Sequence, residues 1–70
     1  MKALYSTQKY IRVFVFGVPE GWQVALYDIQ RQEWIDGNCA SHDNLKDAKA
    51  DALERVATML GKHLLHVQWH

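Results

Sequence analysis

YIRVFVFGVPEGWQVALYDI, residues 10–29, decides how this chain folds. Its first part, YIRVFVFGV, is β-branched and aromatic almost throughout, side chains that suit a pleated, half-buried surface. Gly17, Pro19 and Gly21 punctuate its end, so a turn is expected at Pro19-Glu20-Gly21. WQVALYDI then alternates, with Trp22, Val24 and Leu26 on one side and Gln23, Ala25 and Tyr27 on the other. Two strands joined by a tight turn follow. The first of them is apolar on both faces: Ile11, Val13 and Val15 on one, Tyr10, Phe14 and Phe16 on the other. A sheet built around it has two apolar faces to account for.

Working outward, Gln30-Arg31-Gln32 is polar enough for a hairpin loop, and EWIDGNCAS (33–41) reads as a returning third strand. Asp36-Gly37 suits either a type I′ turn with very short arms or a bulge, and the bulge is the reading taken. Next comes DNLKDAKADALERVATMLG (43–61), a helix with its stop and start signals in place. Asn44 caps it, Asp47 stands close to a capping box, Gly61 suits a left-handed C-terminal cap and Lys62 the negative end of the dipole. Leu45, Ala48, Ala52, Leu53, Val56, Met59 and Leu60 recur at helical spacing and form one apolar stripe. LLHVQWH (64–70) alternates again and gives a short last strand.

The order β-β-β-α-β predicts a single α+β domain over residues 1–70, an antiparallel sheet with one helix packed across one face. Ile11, Val13, Val15, Trp22, Val24, Leu26, Ile35 and Cys39 are expected to face the helix. Parity beyond Asp36-Gly37 stays open, because one bulge reverses every side chain after it.

The chain has eight basic and eight acidic residues, so it lacks the net positive field that draws proteins to phosphate backbones. Cys39 is the only cysteine, which rules out an intrachain disulfide and fits a reducing cytoplasm. MKALYSTQKY has no apolar run of signal-peptide length and no segment approaches a transmembrane span, so a cytoplasmic setting without membrane contact is expected.

Three clusters invite chemistry. His63, His66 and His70 have metal-ligand spacing only on a helix, and Gly61 ends the helix before them. Asp28, Glu33 and Asp36 gather around one hairpin, whereas two-metal nucleases draw carboxylates from several elements. Cys39 and His42 are three residues apart, which in a strand puts them on opposite faces. Neither catalytic residues, nor a metal site, nor a cofactor is expected, and no Gly-rich phosphate loop is present.

Two families come into view at the helix. Leu45-Lys46-Asp47-Ala48-Lys49 resembles the last helix of double-stranded-RNA-binding domains with its first lysine lost. Those domains also place a helix before their first strand, and only nine residues precede Tyr10. That resemblance implies an RNA-binding module using Lys46, Lys49 and the sheet aromatics. The chain is more similar to HicB-like antitoxin domains, a bacterial group with a partial RNase H fold ordered β-β-β-α-β. Their helix entry reads Gly-Asp-Thr-x-Glu-Glu-Ala, two residues, Asn, Ala. Residues 42–52 keep the aspartate at Asp43, a capping residue at Asn44, one acid at Asp47 and the alanines Ala48 and Ala52. They depart from it at His42, Lys46 and Asp51. Val24-Ala25-Leu26-Tyr27-Asp28 resembles that family's second strand, without the Pro-Gly-Cys that usually follows. The resemblance spans residues 10–69 and implies a small non-enzymatic protein that binds a protein partner such as a toxin. HicB antitoxins carry a further DNA-binding region after this domain; the resemblance does not reach it, and operator binding is not expected.

One helix covers one face of a sheet, so an aromatic patch of Tyr10, Phe14, Phe16, Tyr27, Ile29 and Trp34 is expected to face solvent. Patches of this kind usually mark interfaces. A two-fold homodimer through the open face is the expected use, since that symmetry is the commonest. A toxin-like protein partner and a folded-back MKALYST segment are the other candidates, and nucleic acid is disfavoured by the charge balance.

Overall fold

The structure is a computed structural model that describes residues 3–35, 41–62 and 67–70. Among the described residues its sheet holds five strands: β1 (Ala3–Gln8), β2 (Ile11–Val18), β3 (Gly21–Asp28), β4 (Glu33–Trp34) and β5 (Ser41–His42). One helix follows, α1 (Leu45–Leu60). All pairings are antiparallel; β1, β2 and β3 lie side by side, and β4 and β5 both pair with β3. The fold is α+β, with α1 packed across one face of the sheet. No helix among the described residues is long and apolar enough to cross a membrane.

The two long strands form as expected, and the register fixes their faces. Val13 pairs with Leu26 and Val15 with Val24, so these side chains share a face with Ile11. Ile11, Val13 and Val15 are wholly buried, and so are Ala48, Ala52 and Val56 of α1. The alanines let the helix backbone sit close to the sheet, and Trp22, Leu26, Ile35, Leu45 and Leu60 pack around that centre. Leu53 and Met59 are not in that cluster, and Met59 is 40% exposed. Thus the apolar stripe is narrower than its sequence pattern suggests.

The ends of α1 follow their sequence signals. The Asn44 Oδ1 accepts the Asp47 backbone N–H at 2.9 Å, and its Nδ2 donates to the Asp47 carboxylate at 3.0 Å. Gly61 takes φ 69° and, with Lys62, returns N–H groups to the Thr58 and Ala57 carbonyls at 3.3 and 3.1 Å.

Two segments differ from the expected order. The described part of MKALYST, from Ala3, does not fold back over a face; Ala3–Gln8 becomes a strand beside β2 in the plane of the sheet. The turn to β2 is only Lys9-Tyr10, with Lys9 at φ 58°. At the other end, residues 67–70 form no regular strand, although Tyr5 and His70 exchange main-chain hydrogen bonds of 3.0 and 2.9 Å. His63 and His66 lie outside the described residues, as does the rest of the expected last strand before Val67.

The third strand is split. Tyr27 pairs with Trp34, so an unbroken ladder would bring residue 39 opposite Trp22; His42 stands there instead, three residues later. The register thus shifts by three residues between Trp34 and Ser41, and residues 36–40, including Cys39 and the Asp36-Gly37 pair read as a bulge, lie outside the described ones.

Candidate interaction surface

The face of the sheet away from α1 carries a row of rings. Tyr5 and Phe14 are directly opposite in the β1–β2 ladder, with ring centroids 6.1 Å apart. Phe14 lies 5.5 Å from Trp34, and Trp34 meets Tyr27 edge-on at 5.0 Å. His70 extends the row, its ring 5.5 Å from that of Tyr5. These separations suit tilted aromatic pairs. The cluster is nonetheless open to water: Trp34 is 61% and Tyr5 40% exposed.

Of the patch expected from sequence, Phe14, Tyr27 and Trp34 meet in this cluster. Phe16 shares their face by alternation and is half-buried, beside Ala3 and Gln23. Ile29 is exposed in the turn after β3. Tyr10 belongs elsewhere: it sits in the β1–β2 turn, outside the strand alternation, and packs against the buried core. Tyr5 and His70 were missed because β1 was not read as a strand. The signal was there, since ALYST alternates Leu4 and Ser6 against Tyr5 and Thr7.

Arg12 stands within this aromatic face. It pairs across the ladders with Thr7 on one side and Tyr27 on the other. Its Nε donates to the Thr7 Oγ1 at 3.0 Å, and its guanidinium carbon lies 5.4 Å from the Tyr5 ring centroid. Beside it a cleft of about 490 Å³ opens between β1 and residues 67–70, lined by Thr7, Gln8, Gln68 and His70 among others.

The remaining candidates lie apart from this face. The Asp28 Oδ1 accepts the backbone N–H groups of Gln30 and Arg31, each at 3.0 Å, and so shapes the β3–β4 turn. Glu33 lies 3.9 Å from Arg31 in an exposed pair. Lys46 is exposed, whereas Lys49 is half-buried with its Nζ 5.7 Å from the Trp69 ring centroid. No three His, Cys, Asp or Glu side chains among the described residues gather as they would around a metal ion.

His42 does form a contact that sequence spacing did not reveal. Its Nε2–H donates to the Asp51 Oδ2 at 2.9 Å, and Arg55 Nε reaches both carboxylate oxygens at 3.1 Å. Partial burial opposes the charge on Asp51, but the hydrogen bonds and charges of His42 and Arg55 outweigh it and hold the carboxyl below its ordinary 3.8. The trio ties β5 to α1 at the edge of the core.

No family model matches the chain, and no curated protein or solved structure matches it either.

Proposed function

We propose that this domain is a small non-enzymatic interaction module that binds another polypeptide through the open aromatic face. The observation that carries the reading is Trp34, 61% exposed within a cluster of rings on the face that α1 leaves bare. Rings so placed bring large contact area at little conformational cost, which is why aromatic residues dominate binding hot spots. The two occupants that fit the sequence are a second copy of the chain and, from the likeness to HicB-like antitoxin domains, a toxin-like protein in the cytoplasm.

The test is Phe14→Glu and Trp34→Ser. Both should keep the fold while abolishing the association that wild type shows in sedimentation equilibrium, alone at micromolar concentration or mixed with a partner. Association untouched by either substitution overturns the proposal.

The duplex-RNA alternative, through Lys46 and Lys49, draws less support. Lys49 lies against Trp69, and Asp47 and Asp51 share the first turns of α1. Fluorescence anisotropy with duplex RNA at physiological salt is expected to show no binding, and micromolar affinity lost in Lys46→Glu/Lys49→Glu would reverse the ranking.

A further inference from the structure

The charges of the chain balance overall, but not face by face. Among the described residues, Asp47, Asp51 and Glu54 lie on α1, Asp43 precedes it and Glu20 sits in the β2–β3 turn. Asp28 and Glu33 oppose each other in the ladder one step from the Tyr27–Trp34 pair, and so point to the other face. The open face keeps Arg12 and His70 among hydroxyl, amide and aromatic neighbours, and no side-chain carboxylate among the described residues joins them. Arg12 is also held ready. Thr7 accepts its Nε–H and the Tyr5 ring centroid lies 5.4 Å from its guanidinium carbon, while its terminal Nη groups have no partner among the described residues.

We propose that the open face docks an acidic polypeptide segment, whose apolar side chains lie on the Phe14–Trp34 rings while a carboxylate pairs with the Nη groups of Arg12. This rests on the reading that the open face is the binding surface, and it chooses between the occupants of that face. A second copy packed face to face would bring its own Arg12 and no described side-chain carboxylate, burying two guanidiniums without counter-charge, which is costly. A single-stranded nucleic acid would find rings to stack on but one guanidinium for a run of phosphates, on a chain with no net positive charge. An acidic segment needs only one well-placed fork, and a carboxylate matches a guanidinium in two parallel hydrogen bonds. The cleft between β1 and residues 67–70, lined by hydroxyl and amide groups, leaves room for it.

The experiment compares fluorescein-labelled peptides of about ten residues, long enough to span a sheet face, alternating glutamate with phenylalanine or glutamine with phenylalanine. Anisotropy titrations use wild type, Arg12→Gln, Arg12→Lys and Phe14→Glu, with urea unfolding to show that each variant folds. The glutamate peptide should bind wild type at least about tenfold tighter than the glutamine peptide. Arg12→Gln should erase that preference, Arg12→Lys keep part of it, and Phe14→Glu weaken both peptides. Equal binding of the two peptides, binding of neither, or a preference that survives Arg12→Gln overturns the proposal. So does tighter binding of a labelled thymidine oligonucleotide that depends on Arg12. A homodimer at micromolar concentration that Phe14→Glu dissociates also overturns it, yet leaves the open face as the binding surface. If no association or peptide binding responds to Phe14→Glu, both proposals fail.

Discussion

Val13 and Phe14 are neighbours in β2, yet one is wholly buried and the other faces half-open water. The same holds along the strand: Ile11, Val13 and Val15 meet α1, while Arg12, Phe14 and Phe16 stand on the bare side. Apolar character alone does not separate the two sets. What separates them is supply, because one sixteen-residue helix can cover one face of this sheet and no more. The covered face is built for closeness, with three small or β-branched helix residues against three β-branched strand residues. The open face is built for reach, with large rings in tilted pairs and one edge-on pair. The first is a core, and the second has the make-up of a contact surface.

The largest effect expected is the contrast between Val13→Asp and Phe14→Glu. An unpaired carboxylate at Val13 should cost more than about 4 kcal/mol, close to the whole stability of roughly 4–10 kcal/mol expected for a domain this small. Phe14→Glu gives up ring contacts but leaves its charge in water, and should cost about 1–2 kcal/mol. Urea unfolding followed by circular dichroism reads both. Similar losses at the two positions would mean that the open face is a second core.

Gly21→Ala comes next, and Gly61→Ala is its companion. Gly21 has φ 139°, and a Cβ there would run into the backbone carbonyl of His42. Neither backbone can yield without parting β5 from β3, so a loss of about 2–3 kcal/mol is expected. Gly61 also has a positive φ, 69°, but a Cβ there meets nothing within 4 Å. Only the left-handed conformation is penalised, at about 1 kcal/mol. Equal costs would show that the crowding against His42 relaxes freely.

The covered face was largely legible in the sequence and the open face only in part. Alternation in residues 11–15 and 22–26, with the helix stripe, places most of the core by pattern alone. Those signals are local and periodic. Strand β1 was hidden because ALYSTQ is short and half polar, and only its pairing with β2 shows that Tyr5 joins Phe14. The place of Arg12 between Thr7 and Tyr27 depends on two registers that no single segment encodes. Tyr10 was assigned by extending the alternation of β2 one residue too far, into a two-residue turn. The sequence places Asp28 at a hairpin, but only the turn geometry shows that it accepts two backbone N–H groups.

That role sets the third prediction. Asp28→Ala strands two N–H donors at the β3–β4 turn, in an exposed place where water replaces part of what is lost, so about 1 kcal/mol is expected. Asp28→Asn retains an acceptor oxygen and should stay within about 0.5 kcal/mol of wild type. Because Trp34 follows this turn, Asp28→Ala should also loosen the Trp34–Tyr27 pair, seen as a shift in tryptophan fluorescence. Indistinguishable alanine and asparagine variants would separate the turn from the ring cluster.

The smallest effect concerns how each face treats charge. On the covered side, Asp51 is held by His42 and Arg55, whereas Arg12 on the open side has no described counter-charge. The folded value of Asp51 lies below the 3.8 of the unfolded chain, so ionised Asp51 favours the folded state. That contribution is complete above the unfolded value and fades as pH falls through the folded one. The three groups are partly exposed, and solvent screening keeps the gain under about 1 kcal/mol. Urea midpoints should therefore show Asp51→Asn slightly less stable than wild type at neutral pH, with the gap closing in acid, where wild type also carries a neutral side chain. Arg12→Gln should show no such acid-dependent gap, since no described side-chain carboxylate faces Arg12. A gap for Asp51→Asn that persists unchanged below the ordinary carboxylate range would assign its effect to packing, and the electrostatic difference between the two faces would then rest on Arg12 alone.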